Sequence, residues 1–302
     1  MRSRACALGN MRDQTNYFCD NVLNRVPDNG TTEVEENMDY TLRGILWFVA
    51  IALFAGAIFL LFASILRAGE KSAKPMSPEQ AAWEKLLEEN LGSFYLPLYK
   101  KEKEKGSESA WDYVKDDPRL PRVLLIGDSI SRGYTLQVRH LLKGKVNLHR
   151  APENCGGTAN GLKKLDIWLG DGKWNVIHFN FGIHDCKTPP EEYEQHLETI
   201  VERLKATKAK LIWASSTPLP PDGKDMDDNN IIQRNEIAAK VMKKHNIPAD
   251  DLYTFIKPHL AECQNPKDCH FNGKGYDLLA QQVAEEIMAS LGRKLPKPRA
   301  TK

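Results

Sequence analysis

The sequence lacks a surplus of either charge: 42 lysines and arginines stand against 40 aspartates and glutamates, leaving a formal charge of +2. A chain so balanced offers no basic footprint for a phosphate backbone, and no nucleic-acid partner is expected. Cysteine is sparse as well. The six thiols at Cys6, Cys19, Cys155, Cys186, Cys263 and Cys269 are too few among 302 residues to frame a disulfide-built miniprotein. None of them falls in a CxxC pair or a zinc-finger spacing, which excludes a structural zinc module. Long apolar runs are missing too, with one exception. Ile45 to Leu66 reads ILWFVAIALFAGAIFLLFASIL, without a charge or a proline.

At about 1.5 Å per residue this run covers a hydrocarbon core of about 30 Å. A soluble helix seldom stays apolar on every face for so long. Residues 45–66 are therefore expected to form one transmembrane helix. The small-residue cleavage pattern of a signal peptide is poor in the following ASILRAGE, so the span is read as a retained anchor. Met38 is an alternative start, from which the same run would resemble an export signal. Arg25 and Arg43 precede the span, whereas Arg67, Lys71, Lys74 and Lys85 follow it, and the positive-inside bias would put the second side in the cytoplasm. The apolar segment and the cysteines of the later loops favour export instead, and an extracytoplasmic domain is the expectation.

Residues 1–44 show neither helical nor strand period and are expected to be a mobile tail, with a sequon at Asn29-Gly30-Thr31. Residues 67–119 read as a linker containing an amphipathic helix. Ser77-Pro78-Glu79-Gln80 is its capping box, Trp83, Leu86, Leu87 and Leu91 share a face, and Gly92 stops it. Lys100 to Lys105, KKEKEK, reads as solvated linker. A folded domain is expected over 120–292 and a short tail over 293–302.

Within that domain, Arg122 to Gly127 is an apolar run ending in glycine, the pattern of a strand buried on both faces. Similar runs recur at Val146 to His149, Asn175 to Phe181 and Lys210 to Ser215, with a weaker one near Asp251 to Thr254. Helical periods fall between them, one opened by a capping box at Thr188 to Glu191 and the last at Tyr276 to Leu291. Alternating strand and helix predict an α/β fold with a mostly parallel sheet covered on both faces. Ligands of such sheets bind at the carboxyl ends of the strands.

Four blocks stand at those ends. Gly127-Asp128-Ser129 follows the first strand, where a serine at a tight strand-to-helix turn can expose its hydroxyl. Ser131 occupies the place that the GxSxG elbow reserves for glycine, so the chain is not an ordinary α/β-hydrolase. Glu153 to Thr158 carries the glycine pair Gly156-Gly157, which lets a backbone N–H approach a substrate oxygen. Gly182-Ile183-His184-Asp185 follows the third strand, and Asp268-Cys269-His270 precedes the final helix. A serine nucleophile needs a neutral imidazole to take its proton and a carboxylate to orient that imidazole. His178, His184 and Asp185 lie close together, but alternation along a strand separates the first from the others, and no metal is expected. Cys263 and Cys269 bracket the loop before His270 at a spacing that allows either a disulfide or two thiols.

In this order the blocks resemble the SGNH or GDSL hydrolase family over Leu120 to Leu291. The resemblance implies a flavodoxin-like three-layer α/β/α sandwich that hydrolyses esters or thioesters through an acyl-enzyme, with no metal or organic cofactor. It assigns Ser129 as nucleophile and His270 as base, and block two matches through Gly156 or Gly157, of which Gly156 is favoured. Two positions depart from the pattern. His184 stands where the family has its oxyanion asparagine, and Lys267 stands three residues before His270, where its acid usually lies. Asp268, two residues before, takes the acid's role by a one-residue shift of the loop. The expected oxyanion donors are the amides of Ser129 and Gly156 and the His184 side chain. With no long apolar lid segment between the blocks, small acyl esters are the expected substrate, acetyl groups on carbohydrate among them. Lipid esters, thioesters and a catalytically silent binding module are the alternatives.

Overall fold

The structure, a computed structural model, describes residues 32–69, 76–220 and 227–295. The chain forms two compact units, Met1–Pro75 and Met76–Lys302. The sequon, Cys6, Cys19, Lys71, Lys74 and most of the C-terminal tail lie outside the described residues.

The first unit contains helix α1, Thr32–Gly69. It begins well before the expected span, within the segment read as a mobile tail. The residues from Thr32 to Gly44 include no proline, and a helix already nucleated by the apolar run extends through them with one hydrogen bond gained for each residue fixed. Leu42–Leu61 is apolar on every face beyond Arg43 and nowhere buried, with Trp47, Phe48 and Phe59 at 73%, 77% and 75% exposure. Among the described residues it is the one helix long and apolar enough to cross a membrane.

The second unit opens with α2, Pro78–Asn90, and α3, Gly92–Glu104. Ser77 Oγ accepts from Gln80 N at 3.2 Å and Pro78 occupies the first turn, as the capping box predicts. Gly92, at φ +70°, turns the chain between the helices. From residue 76 on, the stretch expected as a linker is therefore folded. Leu87, Leu91, Tyr99 and Trp111 are buried together, with Trp83, Tyr95 and Leu96 packed against them. KKEKEK supplies the end of α3, where Lys100 pairs with Glu88 at 3.1 Å and Lys103 with Asp112 at 2.7 Å. Its charge density hid a helix whose other face is apolar.

Five strands follow: β1 Arg122–Ile126, β2 Asn147–Arg150, β3 Val176–Phe179, β4 Lys210–Ala214 and β5 Ala249–Asp250. Between and after them lie α4 Ser129–Leu141, α5 Thr158–Leu169, α6 Pro190–Ala206, α7 Asp228–His245, α8 Leu252–Ile256, α9 Leu260–Cys263 and α10 Gly273–Ser290. All pairings are parallel and the order is β2-β1-β3-β4-β5. Side-chain alternation sends Val123, Leu125, Ile212 and Ala214 into one core, with α4 and α10 residues Val138, Leu279 and Val283. Leu124, Ile126, Ile177 and Phe179 enter the other, with Leu165, Leu197 and Val241 of α5, α6 and α7. Strands β1, β3 and β4 thus bury apolar residues on both faces, which is why their sequences read as continuous runs.

Two local expectations fail. The weak run at Asp251 to Thr254 is not a strand: Asp251 Oδ1 accepts from Thr254 N at 3.1 Å and caps α8, leaving β5 two residues long. The capping box at Thr188 does not form either. Helix α6 begins at Pro190 with no side-chain cap, and the Thr188 carbonyl accepts from Arg234 instead.

The chain leaves β1 toward β2 on one side and returns to β3 on the other, so the switch point of the sheet lies at the carboxyl ends of β1 and β3.

Candidate active site

Ser129 is the first residue of α4, directly beyond β1. Asp128 caps that helix by accepting from Ile130 N at 2.9 Å, so the turn is tight and the serine stands at the helix start. Gly127 is required there because a Cβ would lie 2.8 Å from Ser131 Oγ. From the end of β2, Arg150 braces the turn, donating to the carbonyls of Gly127 at 3.0 Å and Asp128 at 2.9 Å and to Ser131 Oγ. Its guanidinium is buried with no carboxylate partner among the described residues, lying 5.8 Å from the centre of the Trp111 ring.

The last block comes from the loop between α9 and α10. Asn265 N donates to the His270 carbonyl at 2.9 Å, Gln264 pairs with Phe271, and Asn272 caps α10 by accepting from Gly275 N at 3.1 Å. This brings His270 Nε2 to 2.8 Å from Ser129 Oγ across 141 positions of sequence. On the other side of the ring, Nδ1 lies 2.7 Å from Asp268 Oδ1, which also accepts from the His270 backbone N–H at 3.2 Å. Lys267 adopts φ +58° and Asp268 N donates to the Asn265 carbonyl at 3.2 Å, closing a turn in which Asp268 rather than Lys267 meets the ring. Partial burial opposes ionisation of Asp268, but the hydrogen bonds and charge of His270 outweigh it and hold the carboxyl below its ordinary range.

The other two blocks sit on neighbouring loops. Gly156 has φ +64°, a conformation that favours glycine, whereas Gly157 caps α5 so closely that a Cβ would lie 2.9 Å from Asp185 Oδ1. Asp185 is buried and accepts from Thr158 N at 2.9 Å and from Thr158 Oγ1 at 2.6 Å, tying the β3 loop to the start of α5. His184 stands exposed in the single turn Ile183–Asp185, and no hydrogen bond from the described residues engages its ring. His178 belongs to another environment: it is buried with Nε2 3.0 Å from Asp250 Oδ2 beneath the sheet.

Asp268, Cys269 and His270 offer ligand atoms within 4.8 Å of one another, the one such group among the described residues. Its carboxylate and imidazole already bond each other, and burial pushes the Cys269 thiol up to about 12, which keeps it protonated and a poor ligand near neutrality. Cys155, Cys186, Cys263 and Cys269 are free thiols. The 263–269 bridge does not form because the two side chains enter separate clusters, Cys263 the core beside α10 and Cys269 a small one with Leu219 and Ile231.

Sequence reasoning missed Tyr95, Trp111 and Arg132. Tyr95 extends from α3 to Arg132 near the start of α4. The guanidinium carbon of Arg132 lies 5.6 Å from the Tyr95 ring centre and 5.8 Å from that of Trp111. Their contacts span tens of residues and leave no local pattern; the one available signal was the position of Arg132, three residues after the nucleophile block on a helix.

A hydroxyl, an imidazole and a carboxylate in series at the switch point of a parallel sheet define the class, a hydrolase on a flavodoxin-like α/β/α sandwich. The profile of the GDSL-like lipase/acylhydrolase family matches residues 125–278, and the chain belongs to that family of ester-bond hydrolases. Among solved structures, the lipase/acylhydrolase from Enterococcus faecalis is similar at 22% identity, covering 59% of this chain and 100% of its own, with a TM-score of 0.52. An acetylxylan esterase from Geobacillus stearothermophilus is similar at 15% identity, covering 59% of this chain and 97% of its own, with a TM-score of 0.50. At such identities the likeness concerns the fold. No match is found among curated proteins.

Proposed function

We propose that this protein is a membrane-anchored serine esterase acting on small acyl esters, acetyl groups on carbohydrate among them. The observation that carries the reading is the unbroken series from Ser129 Oγ through His270 to Asp268, with bonds of 2.8 Å and 2.7 Å. Ser129 Oγ attacks the acyl carbonyl as His270 Nε2 takes its proton, and Asp268 fixes the ring with Nδ1 protonated and stabilises the imidazolium. The developing oxyanion is received by the Ser129 and Gly156 amides and the His184 side chain, each donor contributing about 10²-fold or more in rate. Expulsion of the alcohol, with the proton returned from His270, leaves an acyl-enzyme, and a water activated by the same imidazole releases the acid.

A helix that is uncharged and apolar on all faces from Ile45 to Leu61 supports the anchor, and the acetylxylan esterase with the same fold supports an acetylated sugar as substrate. The test is a fluorophosphonate probe together with p-nitrophenyl acetate, applied to the full chain in detergent. We expect one covalent adduct at Ser129, with both adduct and hydrolysis lost in Ser129→Ala. Equal hydrolysis by the two proteins removes Ser129 as nucleophile, and no adduct on the wild type makes the domain a silent binding module.

A further inference from the structure

Arg132 is a cation on α4 that forms no ion pair among the described residues. Residues three apart share a helical face, so its side chain leaves α4 on the side of Ser129. Its guanidinium lies beside the rings of Tyr95 and Trp111, three residues along α4 from the nucleophile.

The other arginines described in Met76–Lys302 all meet oxygen. Arg119, Arg122 and Arg203 pair with Asp117, Asp116 and Asp166. Arg139, Arg150, Arg234 and Arg293 donate to backbone carbonyls. Arg132 has neither an ion pair nor an accepting oxygen for its guanidinium among the described residues, and its Nε–H is buried without a partner. Two aromatic rings flank it instead. Such rings hold a guanidinium through its faces and leave the N–H groups of its edge free, the arrangement that receives a carboxylate in a two-pronged bond. The Asp128 carboxylate accepts from the Ile130 amide in capping α4 and makes no ion pair with Arg132 among the described residues.

We propose that Arg132, held by Tyr95 and Trp111, is a specificity residue that binds a carboxylate carried by the ester substrate close to its scissile bond. This rests on the esterase reading above and narrows it to anionic esters. Tyr95 and Trp111 lie outside residues 125–278, so the wall that selects the substrate is built by segments the family profile does not include.

Binding is measured by calorimetry on the full chain in detergent micelles, with amides standing in for the ester so that turnover is not required. One pair is 4-acetamidobenzoate and its neutral carboxamide, with the charge on the leaving-group side. The other is N-phenylsuccinamate and its neutral carboxamide, with the charge on the acyl side. We expect at least one anion to bind tenfold or more tighter than its neutral partner. Arg132→Gln should bring that ratio close to one, and Arg132→Lys, which keeps the charge without the fork, should leave an intermediate ratio. Equal affinity within both pairs of ligands on the wild-type protein, binding of none of the four, or a full preference in Arg132→Gln overturns the proposal. The wild-type ratio decides even where a variant fails to fold. Because binding is read without hydrolysis, and again on Ser129→Ala, failure of the anion site is separable from failure of the esterase mechanism.

Discussion

Replacing Asp268 by asparagine isolates what the acid contributes, and the structure limits the size of the effect. Its Oδ1 accepts from both the ring and the backbone N–H of His270, at 2.7 Å and 3.2 Å. An asparagine that turned its amide nitrogen toward the ring would set that nitrogen against the backbone donor as well. The amide therefore keeps its oxygen in place, Nδ1 remains protonated, and only the charge is lost. Two unit charges about 4 Å apart attract by about 4 kcal/mol at an effective dielectric of about 20 and by about 1 kcal/mol in bulk water. The Asp268 side chain is 47% exposed and that of His270 34%, so solvent screening brings the value to about 1–3 kcal/mol. Asp268→Asn should then lower kcat by about 5- to 150-fold. A wrong tautomer would cost about 10⁴-fold.

The assay is kcat on p-nitrophenyl acetate, with Ser129→Ala as the zero and thermal melting as the check on folding. An unchanged kcat would show that another group orients His270 and that the one-residue shift from Lys267 to Asp268 is misassigned. A loss as deep as that of Ser129→Ala would refute the charge-only argument, because the amide must then have turned.

Gly133→Ala probes the packing beneath the site: the added Cβ would lie 2.1 Å from Cε1 and Cζ of Tyr276. Overpacking of this kind costs about 2–3 kcal/mol, or about 5–10 °C in Tm for a domain of this size, and a melting curve within 1 °C of wild type would contradict it. Asp185→Asn tests a pH linkage. Burial lifts the Asp185 carboxyl above its ordinary 3.8 despite the hydrogen bonds from Thr158. An acid raised in the folded state contributes stability that is complete below its unfolded value and is lost as pH rises through the raised one. Removing the group should therefore make Tm at pH 7 minus Tm at pH 4 more positive than in the wild type, and an unchanged difference would rule the linkage out.

How much of this was legible in the sequence depended on how local each signal is. Strands β1, β3 and β4 announce themselves because burial on both faces demands a continuous apolar run. At two residues β5 is too short to carry a pattern, and the capping side chain of Asp251 converts its expected continuation into α8. The α2–α3 pair was half visible. Its N-cap and apolar stripe could be read, whereas the KKEKEK face concealed a helix that buries Tyr99 on its other side.

The same distinction separates the reacting atoms from what surrounds them. Ser129 and His270 stand in short local blocks whose order along the chain can be recognised, and Asp268 follows as the carboxylate two residues before the imidazole. Their neighbours could not be found that way. Tyr95 lies 34 positions before Ser129 and Trp111 lies 18 before it, too far for a helical or strand period to connect them. What brings them together is the burial of Leu87, Leu91, Tyr99 and Trp111 in one cluster, which aligns α3 beside the start of α4. A chain with the same four blocks but another N-terminal segment would keep the Ser129–His270–Asp268 series and lose the aromatic clamp on Arg132. Reaction and selectivity therefore have separate origins here, and variation in residues 76–119 should change which ester is bound without altering the order of steps by which it is cleaved.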